Sequence, residues 1–378
     1  MNIVIAMDSF KGSLSSVAAG NAAAAGIRKA IPQADIRILP VADGGEGTVA
    51  ALVTGLNGTF RTAAVPDPLG RPIQAVYGIL PDQTAVIEMS AASGLPLLSE
   101  PERNPMHTTT LGFGEMIADA IHHGCRNFLL GIGGSATNDC GIGCLQALGF
   151  EFRSKAGEQV PFGAAGLAQI AEIRTEFVLP ELSACRFHVA CDVNNPLYGA
   201  RGASAVFAKQ KGADDGMIAE MEQSVKQFSA LVQQYDPHAN PELPGSGAAG
   251  GLGYALRTFL HADLQSGIEV VTRCIKLEEA VSQADIVVTG EGKMDAQTTM
   301  GKAPAGVAGI AKRFGVPVIG FCGCVGDGAE LCSAHGIDAY FPVLRTACDF
   351  ASAMQPETAA QNLTAAAEQV FRLILSVR

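Results

Sequence analysis

Residues Asp285–Pro304 read DIVVTGEGKMDAQTTMGKAP. The run opens with the apolar Ile286–Val288, flanked by polar residues and closed by glycine, the pattern of a fully buried parallel strand. A polar loop with Glu291, Lys293 and Asp295 is expected next, then a helix starting near Gly301–Pro304, where proline suits the first turn. Strand, charged glycine loop and helix is how open α/β proteins build sites at the carboxyl ends of strands. An ordinary βα connection is the alternative for this loop taken alone. The amino terminus repeats the pattern, however: Ile3–Ala6, then MDSFKGS, then an alanine-rich helix.

The rest of the chain extends this reading. Asn2–Ala6 reads as a first strand, and Ser13 or Ser15 caps a helix running to about Ala30. Ile36–Leu39 is a second strand, followed by VADGGEGT and a helix through about Val53, so a parallel sheet is expected. Phe60–Val65, Ile73–Leu80 and Thr84–Met89, separated by turns, read as an antiparallel meander. A helix near Thr108–His123, a strand at Asn127–Gly131, a glycine loop into another helix, a buried strand at Phe187–Cys191 and an amphipathic helix at Asp215–Tyr235 follow. From Asp285, strands Ile286–Val288, Val316–Phe321 and Ala339–Val343 alternate with helices near Ala303–Phe314, Gly328–His335 and Pro356–Ser376.

Joining the first and last strands gives a flavodoxin-like parallel sheet of order 2-1-3-4-5. The expected domains are residues 1–57 with 280–378, and an inserted mixed-sheet α/β domain of 58–279. In that order the first strand neighbours the Asp285 strand at the switch point. Asp8, Ser9 and Lys11 then stand opposite Glu291, Lys293 and Asp295. A cleft between domains is the expected place for a substrate.

Composition limits the function classes. The chain has 378 residues, 48% hydrophobic and 17% charged, with a net charge of −11. A large core is expected and long disorder is not. The acidic balance argues against general nucleic-acid binding, and any anionic substrate must be held by local cations and amides. The ten cysteines form no Cys-x-x-Cys pairs and read as buried free thiols of a reducing cytosol. No apolar run approaches the roughly 20 residues of a membrane span. A cytoplasmic protein is expected.

Among motifs, Walker A is absent. Gly245–Gly250, GSGAAG, matches G-x-G-x-x-G but follows a proline-rich loop and not a strand, so it fails the dinucleotide test and reads as a tight turn. The loop Gly131–Gly143 is stronger. Gly133, Gly134, Ser135 and Thr137 offer amides and hydroxyls before a helix whose amino end favours an anion by about 0.3–1 kcal/mol. Phosphate or nucleotide binding and a purely structural turn both remain open there. Asn138 and Asp139 are positioned to cap that helix.

Carboxylates occur in glycine or asparagine loops at Asp8, Asp43/Glu46, Asp192 and Glu291/Asp295. Each alone has an ordinary explanation, since Asp favours turns. Together with Lys11, Lys209, Lys211 and Lys293 they supply what metal-assisted phosphoryl transfer needs: carboxylates for Mg²⁺, lysines for the transferring phosphate and a base for the hydroxyl. Arg103, before an Asn-Pro turn and Thr108–Thr110, suits a substrate carboxylate, with a simple helix cap as the alternative.

These blocks, in this order, resemble the type I glycerate kinase family almost end to end. The resemblance rests on MDSFKGSLS (Met7–Ser15), VADGGEGT (Val41–Thr48), RNP with TTTLGFGE (Arg103–Glu115), GIGGSATND (Gly131–Asp139), DVNNPLYG (Asp192–Gly199) with FAKQKGA (Phe207–Ala213), GSGAAGGLG (Gly245–Gly253) and GEGKMD with GKAP (Gly290–Pro304). Met7, Cys140 and Lys293-Met294 depart from the family's usual residues without removing a charge. The resemblance implies an ATP- and Mg²⁺-dependent kinase acting on (R)-glycerate, most often giving 2-phosphoglycerate, on a two-domain fold that is partly flavodoxin-like. It leaves homo-oligomerisation open.

Chemistry then suggests roles. Lys11 and Lys293 neutralise the transferring phosphate. Asp192 is the first choice for the base and Asp295 the second. Asp8 and Glu291 are the metal candidates. Arg103 and Ser9 contact the substrate. The rival readings are another Mg²⁺-dependent phosphotransferase or phosphatase on a small hydroxy acid, and a non-enzymatic sugar-acid sensor.

Overall fold

The structure is a computed structural model and describes residues 1–377. It divides into two compact units. The first comprises Met1–Asp43, Ala50–Asn57 and the chain from Ile268 onward; the second comprises Gly44–Val49 and Gly58–Gly267.

The chain enters the first unit as β1 (Asn2–Met7), buried at every position after Asn2. The helix Ser16–Ala30 follows, its start fixed by the Ser15 hydroxyl, which accepts from the Ala18 amide at 3.2 Å. β2 (Asp35–Ile38) completes the opening βαβ. The second unit holds β3 (Thr59–Pro66), β4 (Pro72–Ile79), β5 (Thr84–Glu88), β6 (Asn127–Gly131), β7 (Glu151–Arg153), β8 (Glu172–Arg174), β9 (Arg186–Ala190) and β10 (Asp263–Gln265). The chain then returns to the first unit with β11 (Ile286–Met294), β12 (Val318–Val325) and β13 (Ala339–Pro342).

The first unit's sheet has five strands in the order β2-β1-β11-β12-β13. All its pairings are parallel, as the flavodoxin-like reading expects. β1 and β11 pair from Ile3↔Ile286 to Met7↔Gly290. Alternation along a strand sends Ile3, Ile5, Met7, Ile286 and Val288 to the face covered by Ser16–Ala30 and Pro356–Ser376. Those two helices meet closely: Thr364 Oγ1 donates to the Ala22 carbonyl at 2.9 Å. A Cβ on Gly26 would stand 2.1 Å from the Thr364 oxygen, so only glycine fits there. Val4 and Val287 occupy the opposite, equally buried face.

One element differs from its sequence expectation. Ile286–Val288 is only the start of a nine-residue strand. β12 runs on beside it, pairing Glu291↔Cys322, Lys293↔Cys324 and Met294↔Val325. Glu291 and Lys293 therefore sit on a strand and not on a loop. The glycines at 290 and 292 do not end the strand because a neighbour continues to supply backbone partners.

The second unit's main sheet has six strands in the order β10-β9-β6-β5-β4-β3. β3, β4 and β5 pair antiparallel, and β5, β6, β9 and β10 pair parallel. This is the mixed sheet the meander followed by βα units implies. Its core includes Phe128 stacked on Phe187 at 4.8 Å between ring centroids.

Candidate active site

β1 ends beside Gly290 of β11 where the strand order reverses, so the residues that follow β1 lie alongside the extended last part of β11. The Asp8 amide prolongs the pairing by donating to the Gly290 carbonyl at 2.9 Å. The chain then folds into a tight turn in which the Phe10 amide bonds the Leu14 carbonyl at 2.8 Å. Gly12, at φ +77°, takes the left-handed position of that turn. Lys11 is thereby held out at the tip of the turn, exposed.

Asp8, Ser9, Lys11, Glu291 and Lys293 line one pocket of about 390 Å³ within the first unit. Asp43 and Lys302 join them. Lys302 Nζ lies 3.8 Å from Glu291 Oε2, and Lys11 Nζ lies 4.0 Å from Asp43 Oδ2. The sequence reading quoted Lys302 only as part of a helix start, and the structure adds it to the cluster. Its position directly before the helix Ala303–Arg313 is the one local signal it carries.

The electrostatics follow from burial. The Asp8 carboxyl is pushed up to about 6, chiefly by burial and also by Asp43, against the lowering effect of the Ser9 amide. Burial likewise raises Glu291, against the Thr298 hydroxyl, which donates to Glu291 Oε1 at 2.6 Å, and against Lys302. Asp295 is different. Lys293 Nζ approaches its Oδ2 to 3.1 Å and holds it below the usual carboxylate range. Asp295 also caps a short 3₁₀ turn through the Gln297 amide. It does not line the pocket.

Two desolvated carboxylates in a pocket that three lysines also line form a hard-oxygen donor set that suits Mg²⁺, which keeps waters and phosphate oxygens as its other ligands. Among the described residues no group of three or more potential ligands forms a closed protein cage.

The remaining candidates belong to the second unit. Asp192 is exposed at the end of β9, and its Oδ1 accepts from the Gly267 amide at 2.9 Å. Arg103 is half-buried, with Nε lacking a hydrogen-bond partner. In the glycine loop, Gly133 and Gly134 are exposed, but Ser135 and Thr137 face inward. Lys211, fully buried, donates from Nζ to Ser135 Oγ at 2.8 Å and to the Thr137 carbonyl at 2.6 Å. Burial lowers this lysine to about 7, partly offset by Asp139. The helix after the loop is only Ile142–Ala147. Its amino end is already served by Asp139, which accepts from the Gly141 amide at 3.1 Å and the Gly143 amide at 3.4 Å. What this loop presents outward is thus the backbone of Gly133 and Gly134.

The G-x-G-x-x-G match has a packing explanation. A Cβ on Gly250 would stand 2.1 Å from the Thr137 carbonyl oxygen, and the Gly250 carbonyl accepts from the Cys140 amide at 3.0 Å. The stretch backs the glycine loop at a distance only glycine permits.

Comparison with known proteins agrees with this architecture. The glycerate kinase family matches residues 3–375. Glycerate kinase from Bacillus subtilis (strain 168) is 46% identical over 345 residues, covering 91% of this chain and 90% of that protein. Glycerate 2-kinase from Escherichia coli (strain K12) is 45% identical over 345 residues, covering 91% of each. A crystal structure from Salmonella typhimurium LT2, assigned as a glycerate kinase 2, superposes with a TM-score of 0.92 at 44% identity, covering 100% of this chain and 98% of that one. The chain belongs to the glycerate kinase family and is an ATP-dependent kinase.

Proposed function

We propose that the protein transfers the γ-phosphate of Mg-ATP to (R)-glycerate, giving 2-phosphoglycerate and ADP. The observation that carries the site is the convergence of Asp8, Lys11, Glu291, Lys293 and Lys302 on one pocket at the switch point of the first sheet. The name glycerate 2-kinase on the relative from Escherichia coli supports the choice of hydroxyl.

In this reading the glycerate 2-hydroxyl oxygen forms a bond to the γ-phosphorus, the bond to the β,γ-bridging oxygen breaks, and ADP leaves. Lys11 and Lys293 offset the charge on the transferring phosphoryl oxygens, a role that needs only position and charge. Asp192 orients the hydroxyl and accepts its proton. Asp295 is the weaker choice, because Lys293 keeps its carboxylate acidic and so poor at taking a proton. Arg103 pairs with the substrate carboxylate, Ser9 contacts the substrate, and the exposed amides of Gly133 and Gly134 hold an anionic oxygen. Asp8 and Glu291 would hold Mg²⁺, which when bound supplies charge neutralisation of the phosphates. Ten cysteines without a Cys-x-x-Cys pair support a reducing compartment, hence the cytoplasm. Among the described residues no helix is long and apolar enough to cross a membrane.

The test is ADP release with (R)-glycerate and Mg-ATP, with the product identified by phosphorus NMR. The expected result is glycerate-dependent turnover giving 2-phosphoglycerate. A 3-phosphoglycerate product would overturn the regiochemistry, and inertness with both glycerate enantiomers would overturn the reaction. In the same assay Asp192→Asn lowers kcat by roughly 10²–10⁴-fold with the fold intact. Near-normal turnover would remove Asp192 from the base role.

A further inference from the structure

The lysine–carboxylate cluster is only part of the lining of its pocket. Much of the rest is apolar: Phe10, Val343, Leu344, Phe350, Ala353 and Met354. Phe350 is 79% exposed and Leu344 44% exposed, so apolar surface at the rim is left in water. The apolar part adjoins the turn that carries Lys11, since Met354 Cε comes within 3.0 Å of where a Cβ on Gly12 would stand. Glycerate has no use for such a wall, because each of its three carbons carries oxygen. A pocket of about 390 Å³ is also far larger than so small a molecule requires and falls in the size range of sites for drug-sized ligands.

From this mixed charged and apolar lining we propose that the pocket is the nucleotide site. The adenine base lies against Val343, Leu344, Phe350 and Met354, and the polyphosphate runs toward Lys11, Lys293 and Lys302. Two polar groups fit the middle and far end of such a ligand. Asn362 lines the pocket one helical turn beyond Ala359, which also lines it. Its amide offers one acceptor and two donors, the complement of an adenine edge. Ser13 lines the pocket, and its buried Oγ has no hydrogen-bond partner. A ribose hydroxyl supplies one. The purine face covers the exposed Phe350 ring by stacking, the sequence-tolerant way proteins hold a base. The assignment rests on ATP as phosphate donor and adds which unit and which residues hold it.

Photolabelling of the full-length enzyme with 8-azido-ATP and Mg²⁺, with adducts mapped by mass spectrometry, tests it without requiring turnover. ATP-competable adducts within residues 343–362 are expected. Adducts confined to the second unit, at residues 131–143 for example, or none within 343–362 that ATP competes away, would overturn the assignment. Kinetics provide a second reading. Phe350→Ser, at a solvent-facing position, and Asn362→Leu raise KM for ATP about tenfold, the loss expected for one stacking or base-edge contact, and move KM for glycerate less than twofold. A rise in KM for glycerate with that for ATP unmoved would overturn it. Because the label reads binding and the ADP assay reads transfer, failure of the site and failure of the glycerate reaction are separable.

Discussion

Lys211 is the residue whose position is hardest to read from its neighbours in the chain. FAKQKGA offers two lysines; Lys209 is exposed and pairs with Asp215 at 2.9 Å, while Lys211 is swallowed by the second unit and fastened to Ser135 and Thr137. Burying an ammonium disfavours its charged form, so the folded protein releases this proton near pH 7, whereas the unfolded chain keeps it to about 10.5. The unfolded state therefore binds more protons between those values, and this group adds stability as pH rises from about 7 toward 10. Below pH 7 that contribution is lost. The slope is at most about 1.4 kcal/mol per pH unit, the limit for one proton. Urea midpoints at pH 6.5 and 9.5 should show the wild type gaining more on alkalinisation than Lys211→Met. Equal gains in the two proteins would mean that the lysine stays charged in the folded protein across this range, as it does in the unfolded chain.

At the scale of elements, the sequence declared its strands through apolar runs and its turns through glycine. β1, β2, the meander β3–β5 and the helix Pro356–Ser376 are all legible this way. What the pattern could not show was set by partners distant in the chain. β11 extends to Met294 only because β12 accompanies it. Lys302 joins Glu291 across a turn that has no charge signature of its own. The apolar wall at 343–354 belongs to no motif, since ordinary hydrophobic residues carry no label for the ligand they face. The stretch Ala249–Gly251 holds three successive residues at positive φ, of which Ala249 already bears a side chain. Gly250→Ala adds both left-handed strain and a clash with the Thr137 oxygen. It should lower stability by about 1–3 kcal/mol, read as a fall in the urea midpoint. Ala249→Gly, which relieves the same strain, should not lower it. Comparable losses for the two variants would show that the close approach at Gly250 is unimportant.

For the whole molecule, the decisive fact is that the first unit is assembled from both ends of the chain, while Gly58–Gly267 runs through the second without interruption. Loop-closure entropy must be spent before β1 can meet β11, and non-local pairings of this kind form slowly. In pulse-labelled hydrogen exchange during refolding, amides of β5 and β6 should gain protection before those of β1 and β11, which should then appear together. Protection of β1 ahead of β6 would contradict this order. The register Ile3↔Ile286 has a further consequence for synthesis in the cell. A ribosome that has made the first lysine of the cluster must still translate the uninterrupted stretch Gly58–Gly267 before Glu291, Lys293 and the 343–362 wall emerge. With the site proposed above, the nascent polypeptide stays catalytically silent until residues 343–362 have emerged, and products terminated before them contribute no kinase activity.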